Sequence, residues 1–377
     1  MNLNRYVLSL SIFFLFWMIY NLYGKSAVKV VGEKFNESST GNKISMYACS
    51  ILGLVPFVII SGSRTIFTGR DTEFYLNTAN YARYLPYEYI VSRFPTIAIN
   101  GHYQKVETGY ILYNKIIVEI FKNPQMVFYI SSMIIIVGFC KFIYDNCDNV
   151  FLGIYMFLCE GIFLNSLNTM RQAIAMAIVV NAFTALKKGK YLKAIIIILL
   201  ASQFHQSAVI FFMVMFLYLI IKNIDQKYIF LIYIVPIIIP ELLQLTLVLF
   251  PRYASYLVTS DLYTVKIGRI LILWLMIIIM YIYNFKRISK DRDVVVYGAF
   301  FLVYVVLQLM SLKITGMQRI SFYFEPFNVI LICKLFAIKS KNNVDAVILC
   351  MFRVIIFCLV FMLYLNTASS LEFVNWR

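Results

Sequence analysis

The sequence lacks the short motifs by which most nucleotide- and metal-dependent enzymes are identified. It contains no Walker loop, no Rossmann fingerprint, no zinc motif and no Ser–His–Asp arrangement in a recognisable context. Its seven cysteines show no metal-ligand spacing, and most lie in or beside apolar runs, as small core residues do. These absences argue against a nucleotide-driven cytoplasmic enzyme, and we expect neither a cofactor nor a bound metal.

The chain also lacks linkers, low-complexity segments and internal repeats, so we treat residues 1–377 as a single integral membrane domain. Its composition is 62% hydrophobic, whereas soluble proteins are roughly 45–50% apolar. Continuous runs rich in Ile, Leu and Phe recur, and a bilayer span needs about 20 such residues. A β-barrel would show alternating segments of about ten residues instead. The sequence therefore predicts an all-α, polytopic membrane helix bundle.

We predict about twelve transmembrane helices. They cover approximately residues 5–23, 44–62, 125–143, 150–166, 168–186, 191–204, 206–221, 228–250, 267–285, 294–312, 317–338 and 345–365. Lysine-rich turns such as 187–193 and 286–292 all fall on one face, which the positive-inside rule makes cytoplasmic. The net charge of +16 thus reflects topology and does not indicate nucleic acid. Residues 63–124 become an extracytoplasmic segment between spans 2 and 3.

The 63–124 segment is predicted to carry two amphipathic helices that lie in the membrane interface. The first is Thr72–Leu85, which ends at Pro86. Its expected apolar face consists of Phe74, Thr78, Tyr81 and Leu85. The second is Glu107–Phe121. Its expected face consists of Tyr110, Tyr113, Ile117 and Phe121, with Lys115 and Glu119 off that face.

Under this topology most arginines lie on the outer side and most lysines on the inner side. Arginine suits bidentate contacts to phosphate or carboxylate, so the bias indicates an outer site for an anionic ligand. Arg64 and Arg70 flank a glycine beside Asp71, and Arg319 begins a late span. The alternative explanation of the arginine bias is chance in small counts. The alternative explanation of the polar residues around Gly69 is helix capping by Asp71 or Thr72.

Arg171 lies just inside an apolar run, where a charge is costly and needs a partner or an anionic ligand. Residues 150–186 provide 37 positions for two spans and their turn, slightly fewer than the ~40 required. The turn is therefore predicted to lie below the outer surface. Thr169 and Gln172 match a capping box, which gives Gln172 a structural explanation as well.

His205 lies at the tip of an unusually short hairpin. Residues 191–221 offer 31 positions, whereas two full spans need about 40. A histidine there can act as acid, base or anion-binding donor. A purely structural histidine is the alternative, and His102, the other histidine, is a weaker candidate.

Four motifs in order resemble the EpsG family of Wzy-type bacterial surface-polysaccharide polymerases. They are Arg64…Gly69-Arg70-Asp71…Tyr75, Glu107-Thr108-Gly109-Tyr110, Asn168-Thr169-Met170-Arg171-Gln172-Ala173-Ile174-Ala175, and Ala201…Phe204-His205-Gln206-Ser207-Ala208. The resemblance covers roughly residues 44–220, and after residue 230 only Arg319…Tyr323-Phe324 echoes it. Arg70 beside Asp71 departs from the family pattern.

The resemblance implies a metal-independent glycosyltransferase of GT-C-like architecture in the bacterial cytoplasmic membrane. The donor would be a growing glycan on undecaprenyl pyrophosphate, and the acceptor a single lipid-linked repeat unit. The bond would form at the non-reducing-end sugar, on the outer face. Expected partners are membrane lipids, a flippase and a chain-length regulator, with no nucleic acid. A flippase for the same unit or a membrane O-acyltransferase are the alternative functions.

These implications assign roles to particular side chains. Arg171 would stabilise the pyrophosphate leaving group. Asp71 is the first choice for the base, with His205 and Glu107 as alternatives. The pyrophosphate or sugar would be bound by Arg64, Arg70, Tyr75, Gln172, Arg319 and Tyr323.

Overall fold

The computed structural model describes residues 2–21, 40–66, 68–69, 71–91, 96–99, 102–225, 267–312, 314 and 316–373. The predicted span 228–250 and the candidate Arg70 lie outside these residues. The chain divides into two compact units, Met1–Val209 with Tyr364–Arg377, and Ile210–Leu363.

The first unit contains most of the described helices. They are α1 (Asn2–Ile19), α2 (Thr40–Gly53), α3 (Val55–Gly62), α4 (Thr72–Ala82), α5 (Tyr87–Val91), α6 (Thr108–Phe121), α7 (Met126–Asn146), α8 (Val150–Cys159), α9 (Ile162–Asn165), α10 (Met170–Lys187) and α11 (Tyr191–Ser202). A 3₁₀ helix, Gln206–Ile210, follows α11. Helix α10 is buried along nearly its whole length and packs against α7 and α11. It is therefore the central helix of this unit.

The second unit is also helical in its described part. It contains α12 (Phe211–Asn223), α13 (Ile267–Tyr283), α14 (Phe285–Ile288), α15 (Arg292–Met310), α16 (Gly316–Ser321), α17 (Glu325–Phe336) and most of α18 (Asn343–Phe373). Helix α15 packs against α12, α16 and α17. Near the start of α18, Asp345 accepts hydrogen bonds from Arg287 at 2.8 Å and from the Tyr283 hydroxyl at 2.7 Å.

The prediction of a helical integral membrane protein is confirmed. Within the described residues, five helical stretches are long and apolar enough to cross a membrane: Ile44–Gly62, Met126–Asn146, Gln206–Asn223, Arg292–Met310 and Asn343–Leu371. Shorter apolar helices cover further predicted spans. The count of twelve spans and the GT-C-like architecture stay predictions.

The predicted spans 44–62 and 150–166 are each interrupted by a residue that disfavours a continuous helix. Pro56 lies in the first turn of α3, so residues 44–62 form two helices that meet at Leu54. Proline has no N–H to donate and is tolerated only in such a first turn. In residues 150–166 the interruption is at Gly161, whose φ of +89° is left-handed.

The 63–124 segment contains the two predicted helices, with corrections to both. Helix α4 ends at Ala82 and buries Thr72, Tyr75, Thr78, Ala79 and Ala82. Tyr81, predicted on the buried face, is 39% exposed. The buried face is thus rotated from the prediction, because α4 packs against α6.

In α6 the expected exposed residue Lys115 is buried. Its ammonium lies 2.9 Å from the Glu119 carboxylate and 4.7 Å from the centre of the Tyr87 ring. These contacts offset the cost of burying the charge. Phe121, predicted on the buried face, is exposed.

The segment also contains a short antiparallel hairpin that the sequence did not predict. Strand β1 (Thr96–Ile99) pairs with β2 (His102–Lys105), with Thr96 opposite Lys105 and Ile99 opposite His102. The all-α prediction is correct for the rest of the described chain. Helix α6 follows the hairpin closely, and its first residues build the site described next.

Candidate active site

The Glu107 carboxylate joins three parts of the first unit. Glu107 is the N-cap residue of α6 and has extended backbone angles, so its side chain projects beyond the helix start. Its Oε2 accepts a hydrogen bond from Nη1 of Arg171 at 2.8 Å. Its Oε1 lies 3.0 Å from Nδ1 of His205 and accepts the Gln206 N–H at 3.1 Å. The structure therefore brings together three residues that the sequence had placed in three separate motifs.

Backbone contacts hold α6 against the tip of the short hairpin. The Tyr110 N–H, one of the donors left open at a helix start, donates to the Gln203 carbonyl at 3.1 Å. Gly109 makes this approach possible. A Cβ there would lie 2.6 Å from Cβ of Gln203 and 2.8 Å from its carbonyl oxygen. The glycine is needed because the two backbones are in contact.

Glu107 is ionised at neutral pH. Burial alone would raise the pKa of its carboxyl, but the hydrogen bond to His205 and the charge of Arg171 lower the pKa to about 2. With an anionic partner, Nδ1 of His205 carries the proton of this bond. The other ring nitrogen, Nε2, is then the one left for chemistry, whereas Glu107 itself is a poor base.

Arg171 is held in place on more than one side. Its guanidinium lies 5.2 Å from the centre of the Phe74 ring and 5.9 Å from that of Tyr110. Its side chain keeps 21% of its surface exposed. Apart from the bond to Glu107, its N–H groups donate to no other described residue. The guanidinium is thus fixed, partly accessible and has donors to spare.

Asn168, in the turn before α10, contacts the 63–124 segment at two points. The Tyr75 hydroxyl donates to the Asn168 carbonyl at 2.9 Å. Gly69 has a φ of +82°, and a Cβ there would lie 2.3 Å from Oδ1 of Asn168. A left-handed backbone and a close contact thus both require glycine at this position.

The buried Tyr75 hydroxyl lies near charged side chains that are themselves candidate site residues. Burial and the nearby charge of Asp71 raise the pKa of Tyr75 to about 12, while Arg171 and Arg64 oppose that shift. Asp71 is exposed at the N-cap position of α4, and its side chain makes no capping hydrogen bond. Asp71 thus occupies the position expected of a helix cap, but its side chain does not cap the helix.

Arg64 is a buried cation without a carboxylate partner among the described residues. Its guanidinium lies 4.1 Å from the centre of the Phe128 ring and donates to the Ser61 hydroxyl and the Met170 sulfur, each at 3.1 Å. Its Nε has no partner among the residues described. Burial lowers the pKa of Arg64 to about 10, so it is charged at neutral pH. Met170, which Arg64 contacts, directly precedes Arg171 in the chain.

The sequence model of the EpsG family matches residues 46–376. The chain belongs to the EpsG family. This is the family of Wzy-type polysaccharide polymerases. No curated protein and no solved structure matches the chain.

The EpsG match extends well beyond the residues 44–220 on which the sequence resemblance rests. It includes Arg319 and Tyr323, which lie in the second unit. Arg319 is exposed in α16, and Tyr323 is fully buried just after it.

Gln172 is buried on α10 in the first unit. The predicted capping box is wrong, because the Thr169 hydroxyl donates to the Asn165 carbonyl and caps no helix N–H.

Some residues of this EpsG-family site were missed from the sequence. Phe74 and Ser61 contact the two arginines, and nothing in their local sequence distinguishes them from ordinary core residues. No group of three or more His, Cys, Asp or Glu side chains that could hold a metal occurs in the described part of the chain.

Proposed function

We propose that this protein polymerises lipid-linked oligosaccharide repeat units on the outer face of the bacterial cytoplasmic membrane. A hydroxyl of the non-reducing-end sugar of the acceptor unit attacks the anomeric carbon of the donor glycan. The bond from that carbon to undecaprenyl pyrophosphate breaks, and a glycosidic bond forms. The acceptor proton passes to a base, and the pyrophosphate leaves as an anion.

One observation carries this proposal: Glu107 holds Arg171 and His205 in a single cluster. Such a reaction needs a fixed cation beside the leaving group and a base beside the attacking hydroxyl. An arginine and a histidine that share one carboxylate keep the distance between these two functions constant. Because these groups are already in place, they can stabilise the transition state without moving during the reaction.

Arg171 is assigned to the pyrophosphate. Its spare N–H groups and its exposed fraction allow a planar, bidentate contact with phosphate oxygens. The flanking Phe74 and Tyr110 rings restrict the guanidinium to one orientation. Arg64 adds a second positive charge next to Met170. Arg70, Tyr75, Gln172, Arg319 and Tyr323 remain candidates for pyrophosphate or sugar contacts.

His205 is assigned as the base, through Nε2. Glu107 takes Nδ1 and so selects the tautomer whose Nε2 lone pair can accept a proton. Glu107 is unsuited because two side chains and a backbone N–H already occupy its oxygens. Asp71, first choice from the sequence, is exposed and separate from these hydrogen bonds. We assign it to orienting the acceptor beside Tyr75.

The test uses a strain from which the gene has been deleted, complemented with the wild type or with single variants. Wild-type complementation should restore a ladder of long surface polymer on a gel. Arg171→Ala and His205→Ala should leave a single surface-exposed repeat unit at normal protein levels, and Asp71→Asn should shorten the ladder less. A deletion strain that retains its units inside the cell would indicate a flippase instead. Unaltered ladders for Arg171→Ala and His205→Ala would show that the site is wrong.

A further inference from the structure

An apolar groove lies between helices of the second unit. Ile278, Ile282 and Phe285, near the end of α13 and the start of α14, line one side of it, and Phe301 and Leu302 of α15 line the other. The lining surface is entirely apolar, and the volume is about 340 Å³. Ligand pockets typically measure about 300–1,000 Å³. Because Ile282 is 66% exposed, the groove is open to the surroundings of the protein.

The close approach of α13 to α15 beside the groove depends on Gly298. A Cβ at Gly298 would lie 2.6 Å from both Cζ and Oη of Tyr281, which also lines the groove. The Tyr281 ring therefore lies directly against the α15 backbone and forms part of the groove wall. A side chain at position 298 would displace this ring and change the shape of the groove.

The groove lies at the end of α13 that leads into a basic turn. Lys286 and Lys290 are exposed in this turn. Arg292 begins α15 six residues before Gly298, a distance of about 9 Å along a helix that rises ~1.5 Å per residue. Nη1 of Arg292 is buried and has no hydrogen-bond partner among the described residues. Since buried polar groups are normally hydrogen-bonded, a ligand oxygen at this end of the groove would give Arg292 an acceptor.

Asp345 brings a second basic turn to the same end of the unit. Its Oδ2 accepts hydrogen bonds from Nη2 of Arg287 and from the backbone N–H of Lys341, each at 2.8 Å. Lys339 and Lys341 are both exposed. The two turns are therefore held side by side through one carboxylate.

The two turns together carry an excess of positive charge. Residues 286–293 and 339–345 contain six basic side chains and three acidic ones. Of the acidic residues, Asp345 is engaged by Arg287, and Asp291 caps α15 by accepting the Asp293 N–H at 3.0 Å. Both turns are predicted to face the cytoplasm. Basic clusters between helices on that side of a membrane bind anionic lipid headgroups.

We propose that the groove and the two basic turns bind one anionic phospholipid of the inner leaflet. An acyl chain lies in the groove between α13 and α15, and the lipid phosphate accepts hydrogen bonds from the basic side chains at its end. The occupant follows from the combination of the two features. The groove alone would fit any acyl chain and the turns alone any phosphate, whereas a phospholipid carries both. The site lies entirely within the second unit and is independent of the proposed polymerase activity.

The experiment counts the lipids that the purified full-length protein retains. The protein in detergent is mixed with equal amounts of phosphatidylglycerol and phosphatidylcholine, and bound lipids are identified by native mass spectrometry. Ile282→Trp places a larger side chain in the groove at an exposed position, where the fold tolerates it. Lys286→Gln combined with Lys290→Gln removes two charges from the basic turn and leaves the groove unchanged.

Each variant has a matched control. Ile272→Trp makes the same replacement on α13 at a residue that is 49% exposed and lies outside the groove. Lys188→Gln combined with Lys190→Gln removes two charges from an exposed lysine-rich turn of the first unit. Melting temperatures equal to that of the wild type show that the variants are folded.

The wild type should retain at least about tenfold more phosphatidylglycerol than phosphatidylcholine. Ile282→Trp should lose both lipids, the double lysine variant should lose the preference for phosphatidylglycerol, and both controls should behave as the wild type. Equal retention of the two lipids by the wild type would overturn the proposal, as would undiminished retention by Ile282→Trp. A dimer in the spectrum that Ile282→Trp abolishes would also overturn it, by showing that a second copy of the chain covers the groove.

Discussion

Gly109 and Gln203 are in direct backbone contact, and this contact sets the distance between Glu107 and His205. The Tyr110 N–H bonds to the Gln203 carbonyl, and the missing side chain of Gly109 allows the approach. The Glu107 carboxylate can reach the His205 ring because the helix start and the hairpin tip are this close.

Replacement of Gly109 by alanine should separate α6 from the hairpin tip. The new Cβ would lie 2.6 Å from Cβ of Gln203, so one backbone must move. Misplacement of catalytic groups by about 1 Å can cost roughly 100-fold in rate, and overpacking costs about 1–3 kcal/mol of stability. Polymerisation rate and melting temperature of the purified variant check this.

The control for Gly109→Ala is Gly189→Ala. Gly189 has a φ of +71°, but nothing lies within 4 Å of the position its Cβ would take. Its replacement costs about 1–2 kcal/mol of backbone strain without moving the site. A similar loss of rate in both variants would show that lowered stability, and not displacement of α6, is responsible.

The lowered pKa of Glu107 predicts how stability depends on pH. Since the folded pKa is about 2 against an ordinary value of 4.5, the ionised form stabilises the fold. That stabilisation is complete above the ordinary pKa and is lost as the pH falls towards 2. Its size is about 3 kcal/mol as an order of magnitude.

Denaturation of the wild type and of Glu107→Gln in detergent, across this pH range, measures the effect. The difference in unfolding free energy should be constant from neutral pH down to about 5 and should shrink below it. An equally large difference at about pH 3 and at about pH 7 would mean that the charge of Glu107 does not stabilise the fold.

Replacement of Arg171 by lysine tests whether a positive charge alone is sufficient. Lysine keeps the charge but loses the planar fork that binds phosphate bidentately and packs near Phe74 and Tyr110. We expect the polymerisation rate to fall by about 100-fold. Arg83→Lys is the control, because Arg83 is exposed and its guanidinium lies 6.0 Å from the Tyr84 ring. Wild-type rates in Arg171→Lys would support a point-charge role.

Replacement of Arg64 by methionine should separate function from stability. Replacing a buried charge with an apolar side chain of similar size is often neutral or stabilising. Because Arg64 has no described carboxylate partner, we expect unfolding free energy to change by less than about 1 kcal/mol while polymer length falls. A clearly unstable variant that still makes long polymer would assign Arg64 to folding only.

Several features of the site could be predicted from residue type and spacing. Arg171 and His205 stood out because ionisable side chains are costly within or beside apolar spans. Helices were expected at Thr72–Leu85 and Glu107–Phe121, and the structure has helices at Thr72–Ala82 and Thr108–Phe121. The buried faces of those helices were predicted less well, because Tyr75 and Lys115 are buried by contacts with other elements rather than by their own periodicity.

The choice among the three candidate bases could not be made from the sequence. Asp71, Glu107 and His205 all have plausible residue types. The structure places His205 against Glu107 and leaves Asp71 exposed at a helix start. That difference depends on which elements pack together, which local sequence does not encode.

The sequence by itself determined that this is a helical membrane protein of the EpsG family with arginine and histidine at exceptional positions. Apolar run length and the cost of charge in a membrane are local properties, so a single sequence reveals them. Only the tertiary structure decided that one carboxylate joins Arg171 and His205. The partners of Glu107 lie 64 and 98 residues away in the chain, and packing of α6 against the hairpin tip brings them together.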